Sequence, residues 1–389
     1  MKKIGIVGAG ASGLYAALLI KKKHPDYDVT IIEKEAKIGR KLLATGNGHC
    51  NLLNSSISGD KFNNKFVLNK YLKRYPFETL LETIHDSGIA TTNIDDLIYP
   101  ISYSASSFVS SLIAELEGLG VKFRLNTYFL NYEKTSQNIV IYTDNGDFYA
   151  DNLLICVGGK SSPNLGSNGS IFSILEKHGY HISPLRAGLT PVIVKEKKHL
   201  RDLSGERHKG SVSLLRNGKL ISKEEGEILF KSDGLSGIAI FNLSSLIQRF
   251  NDDEIYTFIV DLFPGLDLLA ELNKAYLVFG ENFLHSFFTP KLQNEIVRQY
   301  GHKIKNANEI PSLEKKLHRL EYTYEDTYSF QNSQVSIGGL SLNDLDDSLM
   351  SKNEKNISFL GEVLDIDGLC GGYNLSWALL SALIVSDSL

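Results

Sequence analysis

The chain has 389 residues, a net charge of −4, and 42% apolar against 22% charged residues. That length allows two or three domains with a large core, the charge argues against a polyanion-binding surface, and no apolar run is long enough for a membrane-spanning helix. Cys50, Cys156 and Cys370 lie far apart with no Cys-x-x-Cys pair, so neither a dithiol centre nor a disulfide framework is expected, and a cytoplasmic setting is the default.

The chain opens on Ile4-Gly5-Ile6-Val7, an apolar strand that runs into Gly8-Ala9-Gly10-Ala11-Ser12-Gly13. The spacing predicts a helix over 14–23 and a second strand, Val29-Thr30-Ile31-Ile32, closed by Glu33. Strand, Gly-x-Gly-x-x-Gly turn, helix, strand and acid in that order read as a dinucleotide site. The first glycine makes the turn, the second admits a pyrophosphate to the backbone, and the third lets helix and strand approach. The helix N-terminus offers N–H groups and partial positive charge to phosphates. Glu33 can accept hydrogen bonds from an adenosine ribose and disfavours a 2′-phosphate. A signal peptide is excluded, because the glycines interrupt the apolar run and no Ala-x-Ala site follows.

Residues 34–54 read as a basic, glycine-rich loop. Helices are expected at 65–74, 77–87 and 104–118, the last capped by Ser104 or Ser106 and ended by Gly118 and Gly120. A strand at 121–125 precedes a hairpin over 138–150 with an Asn145-Gly146 turn, and a buried strand at 153–157 runs into Gly158-Gly159. The texture changes near Pro191. A hairpin turns at 216–219, a short strand follows at 227–230, helices are expected at 235–250 and through 266–320, and a strand at 256–260. After Ser333 the strand pattern returns at 334–337 and 357–360, and a last helix starts near Tyr373. The nucleotide-binding domain is therefore 1–192 plus 333–389, with 193–332 inserted. His178 and His181 flank a glycine at an expected helix end and read as surface residues, so no metal site is expected.

The end of the chain repeats its beginning: strand 357–360, Gly361-Glu362, then Gly371-Gly372 before a helix. Two such cradles suit a long ligand, and they favour FAD over a nicotinamide cofactor. A helix starting at Gly371-Gly372-Tyr373-Asn374 would steady the negative charge of a reduced isoalloxazine. Glu362 and Asp365 fit hydrogen bonds to a ribityl chain or a water. In the loop, Gly39-Arg40-Lys41-Leu42-Leu43-Ala44-Thr45-Gly46-Asn47-Gly48-His49-Cys50-Asn51, backbone freedom lets the chain hug a flat ligand, and Arg40 and Lys41 supply charge for the pyrophosphate.

These segments, with Gly158-Gly159-Lys160-Ser161-Ser162-Pro163, Gln334-Val335-Ser336-Ile337-Gly338-Gly339-Leu340 and the stretch from Gly361 to Gly368, resemble the HI0933-like family of bacterial NAD(P)/FAD-dependent oxidoreductases. So do Gly226-Glu227-Ile228-Leu229-Phe230 and Gly234-Leu235-Ser236-Gly237. The family includes enone reductases of the bile-acid type and aminoacetone oxidase-like proteins. The resemblance implies an α/β fold: a two-dinucleotide-binding-type, Rossmann-like FAD domain, an inserted β-barrel-like domain (about 193–250 and 318–332) and a small helical domain (about 262–317). It implies noncovalent FAD held by Gly8, Ala9, Gly10, Ala11, Ser12, Gly13, Glu33 and Lys34. Arg40, Lys41, Leu42, Thr45, Gly46, Asn47, Gly48, His49, Cys50 and Asn51 would follow along the ligand. Gly158, Gly159, Gly361, Glu362, Asp365, Asp367, Gly371, Gly372, Tyr373 and Asn374 would complete the site. His49 stands where the family usually has Arg. Cys370 stands where a small polar residue is common and reads as a packed thiol near the helix start; a redox role is the alternative, since a helix N-terminus would lower its pKa.

The implied chemistry is hydride transfer at flavin N5, which belongs to the cofactor and needs no acid–base triad. With only one full Gly-x-Gly-x-x-Gly, NAD(P)H is expected to dock transiently rather than on its own domain. The expected substrate is a small organic molecule, an enone reduced with NAD(P)H; oxidation of an amine by oxygen is the alternative. The sequence names no catalytic acid and does not set the oligomeric state. Tyr322, Tyr324 and Tyr328 are candidates to line a substrate site, or else strand packing. Basic residues between Lys291 and Arg319 raise RNA as a second class of substrate, though interspersed acids read better as a solvated helical face, so nucleic acid is not the expected partner. FAD without catalysis is the third possibility.

Overall fold

The computed structural model describes residues 1–250 and 254–389. The chain separates into two compact units, Met1–Arg186 with Val335–Leu389, and Ala187–Gln334.

The first unit is built on a parallel sheet of five strands, ordered Ile357–Phe359, Asn152–Ile155, Lys3–Val7, Asp28–Ile32, Lys122–Arg124. Val7 pairs with Ile155 on one side and Ile32 on the other, and Ile155 pairs with Phe359. The four strands other than the edge strand Lys122–Arg124 are buried along most of their length, and their apolar runs reflect cover on both faces. One layer holds the opening helix, Ala11–Lys23, and the closing helix, Tyr373–Ser388. The closing helix is buried almost all round, including Trp377, Leu380 and Ile384, which explains why its sequence shows no polar face. The antiparallel sheet Phe129–Lys134, Ile139–Thr143, Phe148–Ala150 brings Ile141 so close that a Cβ on Gly5 would lie 2.5 Å from Ile141 Cδ1. The expected Asn-Gly turn is present: Gly146 has φ 83°, and Thr143 Oγ1 donates to its carbonyl. Ser104, rather than Ser106, caps helix Ala105–Gly118, accepting from the Ser107 N–H.

The second unit holds a closed barrel ordered Val192–Val194, Gly234–Ser236, Lys219–Phe230, Arg207–Arg216, Tyr256–Asp261, Leu320–Thr327. Val212, Leu214, Ile228, Phe230, Phe258, Val260 and Tyr322 are buried in its core. Helices Leu269–Phe279, Pro290–Tyr300 and Ile310–Leu317 share that core. Glu295, 3% exposed, accepts from Arg298, Gln299 and the Tyr322 hydroxyl, and so ties a helix to a barrel strand. A buried carboxylate needs such partners. The parallel Rossmann-like sheet, the barrel and the helical segments together match the expected fold class.

Several expected elements change. The helix expected at 235–250 is Ile238–Ile247, because 234–236 is spent closing the barrel. Residues 219–230 form one continuous strand, not two pieces. The loop at 34–54 contains a five-residue helix, Arg40–Ala44, and a strand, Leu53–Asn54, which pairs with Leu97–Pro100 beside Thr91–Ile94.

A Cβ on Gly234 would lie 1.8 Å from the Val192 carbonyl oxygen, so the barrel closes only because that position is bare. Gly234→Ala should lower the thermal midpoint by several degrees, a cost of about 2–4 kcal/mol. Gly118→Ala, where a Cβ meets nothing within 4 Å, should leave the midpoint unchanged in the same scan.

Candidate functional site

The parallel strands end on a common edge, and the glycines there divide by what requires them. Gly8 has φ 104°, and a Cβ on it would lie 2.5 Å from the Cys156 carbonyl oxygen; on Gly13 it would lie 2.0 Å from that of Gly8. The protein's own packing demands both. Gly10 has φ −82°, open to any residue, and a Cβ there would meet nothing nearer than the Cys156 oxygen at 4.0 Å. Nothing in the chain requires Gly10 to be glycine. Its backbone is left open, and the opening helix begins at that point with no side-chain cap. Ala9, Ala11 and Ser12 complete the turn, with the Ser12 hydroxyl donating to the Leu360 carbonyl (3.4 Å). A pyrophosphate fits this turn.

Glu33 is fixed across its mouth. Its Oε2 accepts from the Ala9 N–H at 2.8 Å and its Oε1 from the Glu35 N–H at 2.9 Å. Each oxygen keeps a lone pair for a ribose hydroxyl. Lys34 turns to the Tyr128 ring, 5.8 Å from its centroid.

Both helices hang from Gly361, two residues beyond the strand Ile357–Phe359. Trp377 Nε1 donates to its carbonyl (3.1 Å), its N–H donates to Ser381 (3.0 Å), and a Cβ on it would strike Ser12 Oγ at 2.7 Å. The closing helix begins after Gly371 (φ 122°) and Gly372 (φ 89°). The Asn51 amide donates to the Leu53 carbonyl (2.8 Å) and accepts from the Gly372 N–H (3.2 Å). Asn54 donates to the Gly371 carbonyl at 2.8 Å, and the Tyr373 hydroxyl meets Ser56 at 3.1 Å. Asn374 spends its amide on both backbone groups of Gly368 (2.8 and 2.9 Å). Tyr373 and Asn374 thus brace the turn with their side chains and leave the first-turn N–H groups uncapped.

In the preceding loop Gly46, Asn47, Gly48 and Cys50 all have positive φ, which lays the backbone open. Leu42 is buried, Thr45 donates to the Leu42 carbonyl, and His49 Nδ1 bonds the Tyr103 carbonyl at 2.9 Å. The charges differ from expectation. Arg40 pairs with Glu35 at 2.5 Å and donates to the Asn164 carbonyl; Lys41 pairs with Glu362 Oε2 at 2.7 Å. Both cations are already engaged within the protein. Glu362 Oε1 accepts from the Ser336 N–H (2.8 Å), and Ser336 Oγ accepts from the N–H groups of Lys160 (2.7 Å) and Ser161 (3.0 Å). A Cβ on Gly159 would fall 2.4 Å from that hydroxyl, and Gly158 has φ 73°. Asp365 accepts from Asn63, and buried Asp367 gives its N–H to Asn63 Oδ1. Ser336, placed by sequence only within a family segment, and Asn63 and Trp377, not named from sequence, organise the site.

The thiols fit the packed reading and not the lowered pKa. Burial pushes Cys50 up to about 11 against the lowering bond from Thr45, and Cys370 up to about 11 against a bond from the Gly371 backbone. Desolvation outweighs the helix terminus at Cys370, and Cys156 is raised further. None is a thiolate near neutrality. Tyr322 is wholly buried on Glu295, Tyr324 packs edge-on to Tyr256, and the Tyr328 hydroxyl binds Asp233, so Tyr322 belongs to strand packing. Among the described residues no cluster of potential metal ligands occurs and no helix is long and apolar enough to cross a membrane.

The model of the HI0933-like protein Rossmann domain matches residues 2–388. The 3-dehydro-bile acid delta(4,6)-reductase of Clostridium scindens is 31% identical, covering 97% of this chain and 96% of that one. The ribosomal RNA dihydrouridine synthases of Haemophilus influenzae and Escherichia coli are 27% and 28% identical, each covering 97% of this chain and 96% and 95% of theirs. Among solved structures, a 3-ketosteroid-delta4-(5alpha)-dehydrogenase of Rhodococcus jostii shares the fold with TM-score 0.53 at 10% identity, over 100% of this chain and 97% of that one.

Two outcomes follow from the geometry. Gly10→Val should fold with an unchanged thermal midpoint when no flavin is added, yet purify colourless, whereas Gly13→Val should fail to fold; absorption and melting curves separate the two. The raised thiols hold their protons, so their contribution is full below about pH 9 and is lost as pH rises through about 11. The Cys50→Ala/Cys370→Ala double variant should therefore lose less stability than the parent across that window in urea titrations.

Proposed function

The chain belongs to the HI0933-like Rossmann-domain family and is a flavin-dependent oxidoreductase, and on that premise we propose that it binds FAD noncovalently and uses NAD(P)H to reduce a carbon–carbon double bond conjugated to a carbonyl. One observation carries the choice of reaction. Relatives named for unlike substrates, a bile acid and ribosomal RNA, are both named for saturating a double bond, and in a 3-oxo-delta(4,6) skeleton as in uracil that bond is conjugated to a carbonyl.

The bound flavin supplies the hydride at N5. The chain's residues do the rest. The bare Gly10 and the N–H groups that follow it receive the pyrophosphate, and Glu33 takes the adenosine ribose. The uncapped start of the closing helix would offer partial positive charge to an electron-rich reduced isoalloxazine. The Lys41–Glu362–Ser336 chain holds the loop, the strand end and Gly159 in fixed relation. The protonated, buried thiols beside the cradle argue against a thioether link to the flavin. A single Gly-x-Gly-x-x-Gly supports a nicotinamide that docks and leaves.

RNA as the substrate is the second reading, favoured by the full-length match to the two ribosomal RNA dihydrouridine synthases and by exposed Lys303, Lys305 and Lys315. It keeps the reaction and changes what presents the double bond.

Acid precipitation should release the yellow cofactor into the supernatant. Under nitrogen, NADH or NADPH should bleach the visible flavin band. A 3-oxo-delta(4) steroid or a uridine-containing ribosomal RNA fragment should then restore it. Bleaching by primary amines without NAD(P)H would replace this reading with amine oxidation.

A further inference from the structure

Reduction of a conjugated double bond takes a proton as well as a hydride, and no residue has yet been given that task. In the unit that carries the cradle, tyrosine hydroxyls are commonly tied down: Tyr75 donates to Asp387 (2.6 Å), and Tyr132 and Tyr180 donate to Glu354 (2.6 and 2.8 Å). Tyr99 differs. It is half-buried on the strand Leu97–Pro100, and its hydroxyl has no hydrogen-bond partner among the described residues. Its ring edge, Cε1, lies 3.9 Å from where a Cβ on Gly46 would stand, and on the same strand Leu97 Cδ2 lies 3.8 Å from the corresponding point on Gly371. The strand therefore runs along the cradle, from the open backbone of 46–48 to the start of the closing helix.

The surroundings suit a proton donor. Burial first, then Tyr103 and Cys370, hold the Tyr99 phenol protonated above its ordinary range. The Tyr103 ring lies 5.5 Å away at a 32° tilt. Tyr103 is 37% exposed and sits at φ 49°, an uncommon conformation for a bulky residue, with its carbonyl held by His49. Exposed His49 and Tyr103 give the pair a route to water.

We propose that Tyr99 delivers the proton in the reaction assigned above, on which this inference rests. Two electrons come from reduced nicotinamide by way of the flavin. As hydride arrives at the β-carbon, the π pair moves toward the carbonyl and the α-carbon takes the proton of Tyr99. The O–H bond breaks, the phenolate oxygen keeps its electron pair, and water reached past Tyr103 and His49 returns a proton to it. General acid catalysis of this kind contributes on the order of 100-fold or more.

The test compares Tyr99→Phe with Tyr103→Phe, both of which keep the aromatic ring, after melting curves and the visible spectrum establish that each folds and holds flavin. In the absence of oxygen, NADPH should bleach both variants at the parent rate. Reoxidation by a 3-oxo-delta(4) steroid or a uridine-containing RNA fragment, whichever serves the parent, should slow on the order of 100-fold in Tyr99→Phe and less than threefold in Tyr103→Phe. The solvent isotope effect on that step should grow in Tyr99→Phe. Independently of turnover, the tyrosinate absorption titration of the parent should contain one late-ionising group that Tyr99→Phe lacks. Reoxidation of Tyr99→Phe within threefold of the parent overturns the assignment while the reaction stands. If no conjugated carbonyl compound reoxidises the parent itself, the underlying reading fails and the assignment goes with it.

Discussion

At the carboxyl edge of the parallel sheet, backbones meet more closely than any side chain permits. A Cβ would come to 2.5 Å at Gly8, 2.0 Å at Gly13 and 2.7 Å at Gly361, against main-chain oxygens in the first two cases and the Ser12 hydroxyl in the third. This contact draws the opening helix down onto its strand and onto the strand end at Leu360. It sets where the first N–H groups of that helix point, and through Trp377 and Ser381 it sets the closing helix as well. The glycines at these positions answer to the protein. Gly10 answers to no contact within the protein.

The cationic side chains near the cradle serve a different end. Arg40 and Lys41 meet Glu35 and Glu362, and the latter pair continues through Ser336 to the backbone at 160–161. Segments near residues 41, 160, 336 and 362 are thereby joined in one network. The neutral N–H donors at the two helix starts carry no side-chain cap, and the backbone fixes their orientation. Preorganised dipoles of this kind stabilise charge without reorganising.

The opening unit was legible because its signals are local. Strand, glycine turn, helix and Glu33 lie within 33 residues, and each has a pattern of its own. The closing strand and helix were legible for the same reason, and the family resemblance supplied the barrel. What stayed hidden was pairing across long separations. A lysine shows its charge but not that Glu362 is its partner. The strand Gly234–Ser236 was masked by the apolar helix that follows it, and Leu97–Pro100 is too short to display alternation. Tyr322 and Tyr324 look alike in sequence, yet one is sealed on Glu295 and the other packs edge-on to Tyr256.

The central sheet joins strands that are made at very different times. Leu153 pairs with Ile357, about 200 residues later in the chain. At ordinary elongation rates the ribosome needs roughly 10–40 s to travel between them. During that interval the nascent chain exposes the apolar flank of Leu153–Ile155, and the barrel has time to form on its own contacts. The sheet is thus completed only when the last strand, Ile357–Phe359, has been made.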